Sequence, residues 1–296
     1  MQVTPIYDKS QLRELASMVS HAAFKKLSSS SNQSSYIRRM KKYVGWNDMA
    51  GDKPAQLGDL IAYSYQILEQ NYRHEYIYKN KLLNDYVLKQ YLLDDTILLN
   101  EFRIGQSIAD AVLVNGTNKV FEIKTELDTP ERLESQLNDY YKAFTEVYLF
   151  THISLLDKYI RILPAYVGVL VYTEKGEVLE HRAAINNKEY LDASFMMASL
   201  RKPEYSKLVK QLVGFLPQAT PVFFYRACLE ILEELPVEEV QMMYCHILKS
   251  RIDLQTNLYL SQGDVPSYVN FSFYQAKYNK NSYLTMINNL SKNLLL

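Results

Sequence analysis

Hydrophobic residues recur with two different spacings along the chain, and each spacing predicts a different secondary structure. Helical spacing begins after Asp8, which can cap a helix extending over DKSQLRELASMVSHAAFKKL, and it returns at 57–71 and 75–93. A Ser-rich stretch at 28–35 follows the first helical segment and is predicted to be a loop. From 186 onwards the pattern is again mainly helical. Both ends of the chain are therefore predicted to be helical.

A different pattern, typical of β-strands, occupies the middle of the chain. Three short runs rich in β-branched and aromatic residues follow one another: TILLNEF, IADAVLV and KVFEIKT. The sequence DTPE then predicts the start of a helix, with Thr129 as N-cap and Pro130 in the first turn. A strand, VYLFTH, and a hairpin of AYVGVLVYT and VLEHRAA come next. We expect an α/β protein with a helical region at 1–70, a core containing a mixed sheet at 71–185 and a helical region at 186–296.

Three charged residues interrupt the apolar strands. Glu122 and Lys124 share one face of their strand because successive side chains point to opposite faces. If the connection NGT forms a three-residue loop, Val114 faces Asn118 and Asp110 lies opposite Glu122, about 5 Å away. A loop that is shorter or longer by one residue would displace Asp110 by one position. The register of this hairpin therefore decides whether the two carboxylates meet.

Two carboxylates at such a separation repel each other, so that one pKa rises or a divalent cation binds between them. Oxygen ligands suit Mg²⁺ or Mn²⁺, and Lys124 could orient a water molecule or stabilise the charge that develops on a phosphate. The alternative is a buried ion-pair network of Asp110, Glu122 and Lys124. Spacing alone favours that alternative, because short motifs recur by chance.

The order of the surrounding elements changes this balance. Asp110 and the triplet Glu122-Ile123-Lys124 lie on consecutive predicted strands between two helices, and this arrangement resembles the PD-(D/E)XK nuclease superfamily, with Ala109 in place of the usual Pro. The resemblance implies a restriction-endonuclease-like core. It also implies that Asp110, Glu122 and the backbone carbonyl of Ile123 bind Mg²⁺ or Mn²⁺, and that Lys124 assists the attacking water.

A second motif lies on the next predicted helix. Gln136-Leu-Asn-Asp-Tyr140 is similar to the QxxxY motif of RecB-like nucleases, and its two ends share one face because they are one turn apart. The resemblance implies that Gln136 and Tyr140 lie beside the active site and help to hold the metal site or substrate. Alternatively, Tyr140 joins the apolar stripe of the helix and Gln136 lines its edge.

Two further acids are candidates for completing a metal site. The segment NEFRIGQSIADAVLVNGTNKVFEIKTELDTPERL is most similar to bacterial sce7726-type proteins, an uncharacterised group assigned to the same superfamily, and it contains Glu101. Glu75 begins the preceding helix, where superfamily members often place an additional metal-shell acid. Alternatively, Glu101 is a solvated charge at a strand end and Glu75 interacts with the helix dipole.

Composition limits the partners and the location. The chain has 33 basic and 33 acidic residues in 296, so no global field attracts polyanions, and a nucleic-acid partner would need a local basic face. For the basic cluster at 38–42 a solvated helix face is favoured over a phosphate-binding patch. No membrane-spanning run or signal peptide is evident, and two cysteines build neither a disulfide framework nor a zinc site, so a cytoplasmic location is expected.

The motifs and the resemblance together predict a metal-dependent nuclease that hydrolyses phosphodiester bonds of DNA. A role in bacterial or phage defence, restriction or repair would follow by analogy alone. The alternative is a non-catalytic module that keeps the nuclease fold to bind nucleic acid or a partner protein. The helical regions could bind DNA, a partner protein or a second copy of the chain.

Overall fold

The chain folds into two compact units. The first contains the chain up to Lys89 and again from Asp253, and the second runs from Gln90 to Ile252. This computed structural model describes residues 7–30, 32–49, 53–116, 118–261, 263 and 265–294. The division differs from the three expected regions, because the helices between 186 and 252 belong to the unit that contains the sheet.

The helices and strands are numbered in chain order. The first unit begins with α1 (Lys9–Met18), α2 (His21–Leu27), α3 (Ser34–Tyr43), α4 (Leu57–Asn71), α5 (Glu75–Lys81), a π-helical turn (Leu82–Val87) and α6 (Leu88–Gln90), which reaches the boundary. The second unit contains β1 (Ile97–Ile104), β2 (Ser107–Val114), β3 (Asn118–Lys124), α7 (Leu133–Tyr141), β4 (Glu146–His152), α8 (Leu156–Ile160), β5 (Gly168–Tyr172), β6 (Val178–Arg182), α9 (Ala193–Ala198), α10 (Lys202–Val213), α11 (Phe224–Glu233) and α12 (Val237–Lys249). The first unit is completed by α13 (Leu254–Ser261), α14 (Asn270–Ala276) and α15 (Lys280–Leu290).

The first unit is helical, as the sequence predicts, but its first segment forms two helices. Asp8 caps α1 as expected, since its side chain accepts a hydrogen bond from the Gln11 amide at 2.8 Å. The single helix predicted beyond this point is wrong, because the Ser20 hydroxyl accepts from the Ala23 amide and starts α2. The predicted Ser-rich loop is also shorter than expected, because α3 begins at Ser34.

The second unit is built around a six-stranded mixed sheet with the order β1-β2-β3-β4-β5-β6. β1, β2 and β3 are antiparallel neighbours, β3, β4 and β5 are parallel, and β6 returns antiparallel to β5. The predicted strands and the 165–184 hairpin are confirmed. Helices α7, α9 and α12 pack on the sheet and bury an apolar core that includes Val112, Val120 and Leu149. The chain is therefore an α/β protein.

The predicted start of α7 is wrong by several residues. The helix begins at Leu133, with Arg132 at the N-cap position. Thr129 does not cap it, because its hydroxyl hydrogen-bonds the Glu131 carboxylate, and the Leu133 amide donates to the Pro130 carbonyl in a preceding turn. Within the described residues, none of the helices has the length and apolar character needed to cross a membrane.

Candidate active site

Asp110 on β2 and Glu122 on β3 occupy neighbouring positions, and Glu101 holds the corresponding position on β1. Val114 pairs with Asn118, which is the register of the three-residue loop, and the antiparallel register runs to Ala111 and Phe121, so the next step places Asp110 opposite Glu122. Thr117 of the connecting loop lies outside the described residues. The β1–β2 register is the same before and after Glu101, which places Glu101 opposite Asp110. The hairpin thus sets the two predicted carboxylates on neighbouring strands.

Glu122 and Lys124 form the centre of a hydrogen-bonded network. The Lys124 ammonium donates to Glu122 Oε1 at 2.7 Å and to Gln136 Oε1 at 3.0 Å. The Tyr140 hydroxyl lies 2.6 Å from Glu122 Oε2, to which it donates, and 3.0 Å from the Ile108 carbonyl oxygen. One face of α7 therefore supplies both Gln136 and Tyr140 to the strand residues, as their spacing predicted.

The Asp110 side chain is hydrogen-bonded to the backbone of β3. Its Oδ2 accepts a hydrogen bond from the Ile123 amide at 2.7 Å. This contact fixes the carboxylate beside the peptide unit that joins Glu122 to Ile123. All five residues predicted to act in catalysis (Asp110, Glu122, Lys124, Gln136 and Tyr140) are therefore brought to one edge of the sheet.

The turn between β1 and β2 holds α7 in place. Asp139 accepts hydrogen bonds from the Gln106 amide at 3.1 Å and from the Ser107 hydroxyl at 2.7 Å. Gly105 has a φ of 58°, and a Cβ there would lie 2.6 Å from the Phe195 ring and 3.0 Å from the Asp139 carboxylate. Only glycine fits both the left-handed backbone and this close approach. The turn thereby fixes the helix that carries Gln136 and Tyr140.

The network is closed on one side and accessible on the other. Glu122 and Lys124 are only 2% and 7% exposed, and Tyr140 is fully buried. Asp110 and Gln136 are half-buried, so solvent or a substrate can approach from their side. Burial, reinforced by the Glu122 carboxylate, raises the pKa of Tyr140 well above its usual range, so the phenol stays protonated and donates.

The donor atoms at this edge fit a divalent metal ion. Asp110 and Glu122 present carboxylate oxygens, and Lys124 compensates only one of their two charges, so the three side chains carry a formal charge of −1. Carboxylate and carbonyl oxygens together with water are the ligands that Mg²⁺ and Mn²⁺ prefer. In the part of the chain that the structure describes, however, no three His, Cys, Asp or Glu side chains form a metal-binding group. Two carboxylates alone would leave the remaining ligand positions to backbone oxygen, water or substrate.

Within the described residues, Glu101 forms no metal-binding group with Asp110 and Glu122. Glu101 is exposed and has a φ of 50°, an uncommon conformation for a non-glycine residue. Glu75 belongs to the first unit, where it forms an ion pair with Lys79. The proposal that either acid completes a metal site therefore stays a prediction.

Several residues around the network had no clear signal in the sequence. The Thr151 hydroxyl donates to the Lys124 carbonyl oxygen at 2.7 Å, and Asp128 Oδ2 accepts from both the amide and the hydroxyl of Thr125. Burial, with Asp128 and Glu122 nearby, raises the pKa of Tyr159 to about 12. The spacing of three between Thr125 and Asp128 is the one sequence feature that could have indicated this turn.

His152 is a buried histidine at the end of β4. Its Nδ1 lies 2.8 Å from the Ser154 hydroxyl. Its Nε2 lies 3.7 Å from the Glu174 carboxylate. These contacts lie within the β4–β5 end of the sheet and do not include the residues of the network.

Comparison with known proteins finds a similar curated protein, a solved structure and a matching family model. Protein cII of Enterobacteria phage P4 is 23% identical to it over 186 residues, which cover 61% of this chain and 69% of that protein. A solved structure, the SPO1766 protein of unknown function from Silicibacter pomeroyi, matches 40% of this chain and 80% of its own with 15% identity and a TM-score of 0.29, too low to bear on the fold. Residues 68–270, more than half of the chain, match the family described as Bacteriophage P4 protein cII. The chain therefore belongs to the bacteriophage P4 protein cII family.

Proposed function

We propose that this protein is a metal-dependent nuclease that hydrolyses phosphodiester bonds of DNA. The observation that carries the proposal is the position of Lys124, whose ammonium lies between Glu122 and Gln136 on the sheet edge that also bears Asp110. An isolated ion pair would need only two of these groups. The convergence of five residues from three separate elements, which the D…ExK and QxxxY spacings predicted, supports a catalytic arrangement.

The roles follow from the contacts. Asp110, Glu122 and the Ile123 carbonyl would hold Mg²⁺ or Mn²⁺, which lowers the pKa of a bound water and neutralises charge on a phosphate. Lys124, held by Glu122 and Gln136, would orient the attacking water and stabilise the negative charge that develops on the phosphate. Tyr140 is a positioning residue, because its hydroxyl fixes the Glu122 carboxylate.

The topology around the site supports a restriction-endonuclease-like core as part of the proposal. β1, β2 and β3 form an antiparallel meander, and α7 then crosses to β4, which is parallel to β3. Asp110 lies on the second strand of this unit, and Glu122 and Lys124 lie on the third. This is the order of elements that the resemblance to the nuclease superfamily implied.

One observation favours a second candidate, a non-catalytic module that binds nucleic acid or a protein. Glu122 already has Lys124 and Tyr140 as partners and is almost fully buried. Such a satisfied network can also serve only to fix the packing of α7 on the sheet. The two candidates differ in one respect, since only the nuclease needs a divalent cation.

The deciding experiment is a cleavage assay with purified protein on labelled single-stranded DNA, duplex DNA and RNA, with Mg²⁺, with Mn²⁺ or with EDTA. The test variants are Asp110→Asn and Glu122→Gln, which keep a hydrogen-bond acceptor but remove the charge that would hold the cation. Glu134→Gln is the matched control, because Glu134 is an exposed acid on α7. Far-UV circular dichroism confirms that each variant is folded.

The proposal predicts cleavage of DNA that requires the cation and is lost in both test variants but retained in Glu134→Gln. Cleavage of RNA alone would refute DNA as the substrate. Absence of cleavage by the wild type with either cation would refute the nuclease. Equal cleavage by all variants would also refute it, because the activity would then come from another site or a contaminant.

A further inference from the structure

A basic cavity lies in the first unit, at the basic cluster 38–42. From the sequence, a phosphate-binding patch was the less favoured interpretation of this cluster. The cavity has a volume of about 340 Å³ and is lined by Arg38, Lys41, Lys42, Gly45, Trp46 and Asn47. None of the described residues that line it is acidic. This volume is at the lower end of the range for ligand pockets, so it suits a group of about nucleotide size.

The cations are organised around the tryptophan. The Lys41 ammonium lies 4.3 Å from the centre of the Trp46 ring, and the Lys53 ammonium lies 5.7 Å from it. Lys41 also donates to the Leu294 carbonyl oxygen at 2.8 Å, which fixes its position within the same unit. Cation–π contacts of this kind hold the ring and the charges in a defined geometry.

The backbone explains how these groups reach one concave surface. α3 ends at Tyr43, and Gly45 adopts a left-handed conformation with a φ of 71° that turns the chain and brings Trp46 back toward the last helical turn. The carboxyl end of a helix is itself negative. The positive character of the cavity therefore comes from Arg38, Lys41 and Lys42 rather than from the helix dipole.

The neighbouring Arg39 shows that this arrangement is specific. It lies on the same helix and is exposed, yet its guanidinium pairs with the Glu14 carboxylate at 2.7 Å and does not line the cavity. Arg38 and Lys42 are exposed as well and do line it. The four-residue basic cluster thus divides into an ion-paired arginine and a set of cations that face a common space.

From this geometry we propose that the cavity binds the backbone of single-stranded nucleic acid, with phosphate groups on Arg38, Lys41 and Lys42 and a base against Trp46. Proteins that bind single strands combine cationic grooves with aromatic side chains in this way, whereas the bases of an intact duplex are already stacked on one another. The inference deepens the proposed nuclease function, on which it rests for the identity of the polyanion.

Trp46 is the single tryptophan in the chain, so its fluorescence reports occupancy of this cavity directly. The experiment titrates the whole protein with a short oligothymidylate in EDTA, where no cleavage occurs, at several salt concentrations. Quenching of Trp46 with an affinity that falls as salt rises is expected. The competing ligands are the corresponding DNA duplex and polyglutamate.

The test variant is Arg38→Ala/Lys42→Ala, and Arg39→Ala is the matched control from the same helix. Loss of two phosphate contacts reduces the slope of log K against log salt by about 1.4, and it weakens binding about 25-fold at 0.1 M salt. Arg39→Ala is expected to bind with nearly the wild-type affinity and slope, because its charge faces Glu14.

The outcomes separate this inference from the proposed function. Unchanged Trp46 fluorescence, or equal weakening by Arg39→Ala, overturns the cavity assignment even if the protein cleaves DNA with Mg²⁺. Equal affinity for polyglutamate would indicate an acidic protein as the ligand and would overturn the assignment of nucleic acid. Stronger binding of the duplex would overturn the assignment of a single strand. Salt-dependent quenching that the double variant loses supports the inference, whether or not the protein cleaves DNA.

Discussion

The buried pair of Lys124 and Glu122 makes a quantitative prediction about stability. Lys124→Met removes the ammonium but keeps an unbranched side chain, so Glu122 is left as a buried carboxylate. Its side chain is 3% exposed and that of Lys124 is 9% exposed, which excludes water as a full replacement. Removing one partner of a buried ion pair lowers the free energy of unfolding by about 3–5 kcal/mol. We expect about 3 kcal/mol, the lower end, because Tyr140 still donates to Glu122.

The double variant Lys124→Met/Glu122→Gln distinguishes a buried pair from loss of packing. Removing both charges leaves no uncompensated group, and replacing a buried ion pair by neutral residues is often close to neutral for stability. The double variant is therefore expected to be more stable than Lys124→Met alone. Its destabilisation should fall below the sum of the two single effects by at least about 2 kcal/mol.

Urea unfolding at pH 7, followed by far-UV circular dichroism, measures these free energies. Trp46 fluorescence in the same samples follows the unfolding of the first unit, which contains neither Glu122 nor Lys124. If Lys124→Met costs less than about 1 kcal/mol, the ammonium is not a buried partner of Glu122 and the reasoning fails. Additive single effects would equally refute it, because additivity means that the two residues do not interact.

Two further predictions address the turn that holds α7 and the acid stability of the first unit. Gly105→Ala combines an unfavourable left-handed backbone with a Cβ placed 2.6 Å from the Phe195 ring. It should therefore lower the free energy of unfolding by about 1–3 kcal/mol. A loss below about 0.5 kcal/mol in urea unfolding would contradict the close approach. Burial lowers the pKa of His74 to about 4 from its unfolded value near 6.5, so the unfolded chain binds the extra proton between these values. The contribution of the neutral ring to the free energy of unfolding is complete above pH 6.5. It is lost as the pH falls toward 4, by at most about 3 kcal/mol. His74→Phe should not show this loss in urea titrations followed by Trp46 fluorescence.

The local pattern of the sequence was sufficient to predict most of the secondary structure. The helix at 57–71 matches the structure, and the hairpin has the register of the three-residue loop, one of the alternatives that the sequence left open. These features depend on interactions between residues that are close in the chain, namely helical periodicity and loop length. For the same reason the spacing of Gln136 and Tyr140 correctly placed them on one face of α7.

Two predicted helix boundaries were wrong because a different local hydrogen bond formed. Thr129 has the residue type of an N-cap, but it bonds Glu131 and the helix starts at Leu133 instead. The first predicted helix is interrupted because the Ser20 hydroxyl caps a second one. Ser and Thr side chains can bond nearby backbone or side-chain groups in several local arrangements, and periodicity does not distinguish between these.

The sequence by itself determined the α/β class, the order of the strands along the chain and the set of residues at the candidate site. Only the tertiary structure decided that Lys124 bonds both Glu122 and Gln136, that Glu101 has a positive φ, and that the helices after Asp253 join the N-terminal helices in one unit. The physical reason is the range of the interactions. Secondary structure and hairpin register follow from near neighbours, whereas side-chain partners and unit boundaries depend on which distant segments bury one another's apolar surface.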